Sequence, residues 1–221
     1  MVKLTDSKKE TVFQALRDKI IMSEYPPGTI LTEKILGQEF GITRTTLKEI
    51  IYRLEEMSLV ELIPRVGIKV TEIDYNALIK DYEVMIYLEK MAATLAARHM
   101  TADKIKQIGD LIDQMETSFD DHLKNVQQDH LLHKLVHEDC RNPTLIQFLE
   151  SLLSRALRMV NALLIFSDPE MVAEKLGMTE LKEFHKMLVE RKDEKAGFYF
   201  AEHSKKYLNA IRKKLSSESY L

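Results

Sequence analysis

Leu47, Ile50, Ile51 and Leu54 fall at i, i+3, i+4 and i+7, the spacing that gathers apolar side chains on one side of a helix. Thr45, Lys48, Glu49, Tyr52 and Arg53 then face solvent, with Arg44 at the flank near the helix start. Gly41 can end the preceding helix in a left-handed turn, and the Thr43 hydroxyl can cap the next one, so a helix is predicted from about Arg44 to Met57. Upstream, Thr32 caps a helix whose apolar side holds Ile35, Leu36 and Phe40. A first stripe over residues 7–22, through Val12, Ala15, Leu16, Ile20 and Ile21, stops before Tyr25-Pro26-Pro27-Gly28, which cannot continue a helix. After Leu59 the period falls to two: Val60-Glu61-Leu62-Ile63 and Ile68-Lys69-Val70-Thr71 read as short strands around the hairpin tip Pro64-Arg65-Val66-Gly67.

From Asp74 onward strand signals vanish. Asp74 caps a long helix through Arg98, with Leu78, Tyr82, Met85, Leu88, Ala92 and Leu95 three or four apart. Another begins at Thr101 or Asp103 and carries Ile105, Ile108, Leu111, Ile112 and Met115. Further helices are predicted over residues 121–138, after Asn142-Pro143, after Asp168-Pro169, and over residues 179–191 and 193–216. The expected fold is mainly α: an N-terminal winged helix-turn-helix over residues 1–73, then an all-helical bundle of six or seven helices over residues 74–221.

Composition narrows this only a little. The chain has 221 residues, 45% of them apolar, enough for two cores, and a net charge of −3. Neither an apolar run of membrane-spanning length nor a secretion-signal core is present in the sequence, which makes the cytoplasm the expected location and a membrane an unexpected partner. The single cysteine, Cys140, excludes an intramolecular disulfide framework and reads as an inert thiol. Residues 1–73 hold eleven basic and eleven acidic side chains, so any attraction to nucleic acid must come from local placement of Arg44, Lys48 and Arg53, with Lys34 and Arg65 added.

The run Pro27-Gly28, Leu31, Leu36, Phe40-Gly41-Ile42-Thr43-Arg44-Thr45-Thr46-Leu47-Lys48-Glu49, Leu54-Glu55, Leu59-Val60 and Gly67 closely resembles the N-terminal domain of GntR-type regulators, especially the FadR-type branch. The resemblance covers most of the first 71 residues. It implies double-stranded DNA as partner, with Lys34, Thr43, Arg44, Thr45, Thr46 and Lys48 at the contacting positions and the wing around Arg65 and Gly67 contributing. Lys48 stands where many members carry Arg; an ammonium holds a phosphate as a point charge but has no planar fork for a guanine.

In the helical half, Asp129 and His133 are four apart, so both side chains leave one helix face and could bind one metal, although a surface pair supporting each other would have the same spacing. His130 points about 100° away from Asp129, and His137, one turn beyond His133, reads as solvated or packing. His99 and His122 have no recognisable partner. Asp81-Tyr82-Glu83 through Ala97, Asp129-x-x-Leu132-His133, Asn142-Pro143, and Ala196 through His203 resemble the effector-binding domain of the FadR-type branch. That branch often holds a divalent metal with one Asp and three His. Asp129, His133 and His203 match three of the four positions, and zinc or nickel is the candidate cofactor.

Two positions depart from the pattern. Leu181 stands where the remaining His is expected, with His185 one turn later on the same face: either His185 substitutes or the site is incomplete. Met85 stands, with Tyr82 nearby, where relatives carry an Arg that meets an effector carboxylate, which favours a more apolar or altered pocket. The expected function is a sequence-specific DNA-binding transcription regulator, a repressor and homodimer, controlled by a small effector such as a metabolite carboxylate or acyl compound. The alternative is a metal-dependent enzyme using Asp129, His133 and His203.

Overall fold

The computed structural model describes residues 2–118, 122–165 and 177–217. The chain divides into two compact units, residues 1–74 with 158–162, and residues 75–157 with 163–221. The helix predicted after Asp168-Pro169 lies outside the described residues.

In the first unit α1 spans Val2–Ile21, α2 Glu33–Phe40 and α3 Arg44–Glu56, while β1 is Ile30–Leu31, β2 Val60–Ile63 and β3 Gly67–Val70. The Thr32 side chain accepts from the Ile35 amide and the Thr43 side chain from the Thr46 amide, so both predicted N-caps form. Gly41, in the left-handed region, ends α2. Leu47, Ile50, Ile51 and Leu54 are buried, as their spacing predicts, and pack with Phe13, Leu16, Leu36 and Leu59. Ile35 is a correction: it is 51% exposed, because one residue along a helix is a rotation of about 100° and Leu36 takes the inward position.

The sheet has the antiparallel order β1-β3-β2, and β1 is a strand that the sequence pattern did not reveal. Two residues are too few to show alternation, yet Leu31 pairs with Ile68 and Ile30 with Lys69. This pairing explains Gly67: its φ is +146°, and a Cβ there would meet the Leu31 carbonyl oxygen at 2.5 Å. Gly67→Ala is expected to cost about 1–3 kcal/mol through the strained φ and the β1–β3 contact, read as a lower urea midpoint for the first unit. An unchanged midpoint would mean that the wing relaxes freely.

The second unit contains α4 (Tyr75–His99), α5 (Ala102–Thr117), α6 (His122–Asp139), α7 (Pro143–Ile165, apart from residues 158–162, which group with the first unit), α8 (Met178–Val189) and α9 (Asp193–Ser217), six helices among the described residues. Helix α4 is the spine, packed against α6 and α9. Its small residues Ala92, Ala93, Ala96 and Ala97 are almost fully buried, which lets neighbouring backbones approach closely. No described helix is long and apolar enough to cross a membrane.

Candidate functional site

Two surfaces carry chemistry, one in each unit. In the first, the start of α3 is exposed, and the side chain of Arg44 is 76% accessible. Its Nε donates to Glu33 Oε2 on α2 at 2.5 Å. Thr45 and Lys48 also face solvent, whereas Thr46 is half-buried with its hydroxyl 3.0 Å from that of Thr43. Lys34 is exposed on α2; Arg65 is exposed at the hairpin tip with a positive φ, beside half-buried Gly67. Lys34, Lys48 and Arg65 have no carboxylate partner among the described residues. Lys48 borders a cleft of about 200 Å³ together with Glu33, Tyr52 and Leu62.

Arg53 is not among the outward cations that the helical pattern suggested. Its guanidinium lies 3.5 Å from the centre of the Phe13 ring and donates to Glu10 Oε2 at 2.8 Å, so it ties α3 to α1.

In the second unit, Tyr82, Met85 and Glu89 share one face of α4, and all three are buried. Helix α6 supplies Asp129, His133 and His137 at four-residue spacing, and α9 supplies Phe200, His203 and Tyr207. The ligating atoms of Asp129, His133 and His203 lie within 4.8 Å of one another, and so do those of Glu89, His133 and His137. Both clusters therefore share His133.

Glu89 is fully buried, and its two oxygens face His133 Nδ1 at 2.8 Å and His137 Nε2 at 2.9 Å. Burial alone would raise its pKa; the His137 and His133 imidazoles override this and hold it well below the usual carboxylate range. Burial likewise would lower His133, but the Glu89 and Asp129 carboxylates carry it up to about 9. Asp129 is held below its ordinary value by His203 and His133 against the opposing effect of burial. The phenols of Tyr82 and Tyr207 are pushed up by burial and then by the Asp129 charge, so both remain hydroxyl donors.

His203 shows why a cation fits here. Its Nδ1 faces the Gly177 carbonyl oxygen at 3.3 Å, and its Nε2 faces Asp129 Oδ1 at 2.9 Å. Both neighbours are acceptors, and a neutral imidazole has only one N–H. His133 repeats the arrangement, with Nδ1 toward Glu89 and Nε2 3.8 Å from Asp129 Oδ2. Two imidazolium ions would satisfy these contacts. A divalent metal satisfies them equally, because each Nδ1–H then donates to an orienting oxygen while each Nε2 lone pair is left for the ion. The donor set of two imidazoles and one carboxylate suits a transition metal. Gly177 makes room for this: its φ is +74°, and a Cβ there would overlap His203 Nδ1.

His185 does not join the Asp129–His133–His203 cluster, which speaks against the first of the two alternatives, replacement of the missing histidine by His185, and for the second, an incomplete set. Its ring packs on α5, 2.7 Å from where a Gly109 Cβ would stand. One helical turn is about 5.4 Å, far more than a metal–nitrogen bond of about 2 Å can absorb. Leu181 is fully buried, its amide donating to the same Gly177 carbonyl that His203 faces. His137 is also corrected, from a solvated or packing residue to a buried partner of Glu89. Glu89 itself was missed. Its signal was an acidic residue on the apolar face of α4, one turn from Met85 and two from Tyr82.

Residues 8–70 match the model of the bacterial regulatory proteins of the gntR family, and residues 81–203 match the FCD domain. The chain is 29% identical over 157 residues to YieP of Escherichia coli (strain K12), an uncharacterized HTH-type transcriptional regulator; the match spans 61% of this chain and 68% of YieP. An HTH-type transcriptional regulator of Agrobacterium vitis is 33% identical over 85 residues, 38% of this chain and half of that protein. Among solved structures, Escherichia coli McbR/YncC superposes with a TM-score of 0.80 at 18% identity, covering 94% of this chain and 98% of the other. A GntR regulator from Rhodococcus sp. RHA1 gives 0.70 at 19% identity, with the same coverage. These structural likenesses speak for the fold alone. The two family matches go further: the chain belongs to the GntR family of bacterial transcription regulators, with an FCD effector-binding domain behind its helix-turn-helix domain.

Proposed function

We propose that this regulator is a homodimeric, cytoplasmic repressor in which residues 1–73 read an operator and residues 74–221 bind the effector and pair the subunits. Arg44, Thr43, Thr45 and Thr46 meet base edges or phosphates at the start of α3, Lys34 and Lys48 meet phosphates, and Arg65 and Gly67 follow the backbone from the wing. The exposure of the first turn of α3 supports this reading. Pairing of subunits has support from Val84, Tyr87 and Met91, exposed at i, i+3 and i+7 on α4.

Asp129, His133 and His203 hold a divalent metal such as zinc or nickel beside Tyr82 and Met85, where the effector binds. The observation carrying this assignment is that both nitrogens of His203 face oxygen acceptors. When bound, the ion supplies a Lewis-acidic anchor for the effector. Glu89 orients His133, and the Gly177 carbonyl orients His203. The enzyme alternative is weaker, because Glu89, the other carboxylate of the cluster, is engaged by two imidazoles and is not poised as a general base.

Metal and effector control DNA binding by preferring one arrangement of the paired domains. Fluorescence anisotropy on an operator selected from random duplexes tests this. Operator affinity is expected to change at least fivefold between zinc-loaded and chelator-treated protein, with the melting temperature rising on loading. Equal affinity and an equal melting temperature in both states would sink the proposal.

A further inference from the structure

Tyr52 lies on the outward face of α3, one turn beyond Lys48, and is 57% exposed. Its neighbours on that face are engaged: Lys9 reaches Glu49 at 3.1 Å, and Glu10 holds Arg53. The Tyr52 hydroxyl has no hydrogen-bond partner among the described residues.

Tyr52 also walls the cleft of about 200 Å³ between α3 and the hairpin. Leu47, Ile51 and Ile68, all buried, line its base. Lys48 and Tyr52 stand along the α3 side, and Leu62, 41% exposed, along β2. The two sides are tied together: Glu55 Oε1 on α3 accepts from the Leu62 amide at 3.2 Å, while β2 pairs with β3 on its other edge. Glu33 closes one end, but its carboxylate is engaged by Arg44. Among the lining residues Lys48 therefore supplies a surplus positive charge, beside a wall that is apolar.

We propose that this cleft seats a sugar–phosphate strand of the operator and that Tyr52 is a backbone-contacting residue. Its hydroxyl donates to the phosphate that the Lys48 ammonium pairs with, and its ring, together with Leu62, covers the adjoining deoxyribose. This rests on the reading of α3 and the hairpin as the DNA-contacting elements. When α3 enters the major groove and the hairpin meets the neighbouring minor groove or its backbone, the strand dividing the two grooves passes between α3 and β2. Such a strand alternates anionic phosphate with largely apolar sugar, and the cleft offers a cation and a hydroxyl beside an apolar wall. Four residues apart on one helix, Lys48 and Tyr52 have Cβ atoms about 5–6 Å apart, close enough to share one phosphate. The phenol adds a hydrogen bond without adding charge, so it strengthens binding without releasing a counterion.

Fluorescence anisotropy of the full-length protein, on the selected operator and on an unrelated duplex over a salt series, provides the test. Tyr52→Phe is expected to weaken binding to both duplexes about three- to tenfold, with the salt slope, the preference for operator and the melting temperature unchanged. That pattern separates it from Lys48→Ala, whose slope falls by about one. A neutral methylphosphonate placed singly along the operator locates the contact: at one position it is expected to cost wild type at least about threefold more than it costs Tyr52→Phe. Parent-like binding of both duplexes by Tyr52→Phe would overturn the proposal. A loss confined to the operator would also overturn it, because the phenol would then read a base. With Arg44→Ala still deficient, either result leaves the reading role of α3 in place; parent-like binding by Arg44→Ala as well would overturn both.

Discussion

Arg44→Ala is expected to lower operator affinity about 10- to 100-fold and to relax sequence preference, with the melting temperature nearly unchanged. The reasoning starts from position: Arg44 is the first residue of α3, its side chain is 76% accessible, and the helix start projects free backbone N–H groups beside it. A guanidinium placed there can reach guanine or phosphate bidentately, and losing such a contact costs about 1–3 kcal/mol. The ion pair with Glu33 is solvent-exposed and contributes roughly 0–1 kcal/mol, so its loss barely affects stability. The same pair competes with DNA for Arg44, and Glu33→Gln is expected to tighten binding modestly. Lys48→Ala should weaken binding evenly across sequences and reduce the salt slope by about one, the signature of a phosphate contact. Anisotropy over a salt series distinguishes these outcomes; parent-like binding by Arg44→Ala would remove α3 from the reading role.

Glu89→Ala is expected to be the most destabilising single change in the helical unit, at about 3–5 kcal/mol. Glu89 is fully buried, and its two oxygens are the acceptors for His133 Nδ1 and His137 Nε2. Alanine removes both at once, leaves two buried imidazoles unpartnered and opens a cavity between α4 and α6. At roughly 2–4 °C per kcal/mol for a unit of this size, a fall in melting temperature of about 10 °C follows. Glu89→Gln, which keeps the shape and one acceptor, should lose much less. A scan showing Glu89→Ala within 2 °C of wild type, by the same scale, would mean that the imidazoles find other partners.

The two units differ in how much their sequence disclosed. In the first, the apolar stripe of α3, the Thr32 and Thr43 caps and the β2–β3 hairpin are local patterns, each written in residues a few positions apart, and each forms. What escaped was non-local: β1, recognisable only once Leu31 meets Ile68, and Arg53, diverted by Phe13 and Glu10 on a distant helix. In the second unit the helices were legible from their period, and Asp129, His133 and His203 from family resemblance. Glu89 and His137 were not, because an acidic residue on an apolar stripe has no meaning until α6 is packed against it. His185 was undecided by sequence for the converse reason: spacing puts it on the right helix, but only Gly109 on α5 reveals where its ring goes.

The central claim is that Asp129, His133 and His203 converge on one divalent cation. Elemental analysis of purified protein, reconstituted with zinc or nickel and then desalted, tests it most directly. One metal ion per chain is expected in wild type and less than about a tenth of that in Asp129→Ala and His203→Ala, as expected when a ligand that completes the site is removed. Metal-free wild type after reconstitution, or full occupancy in both variants, would contradict the account.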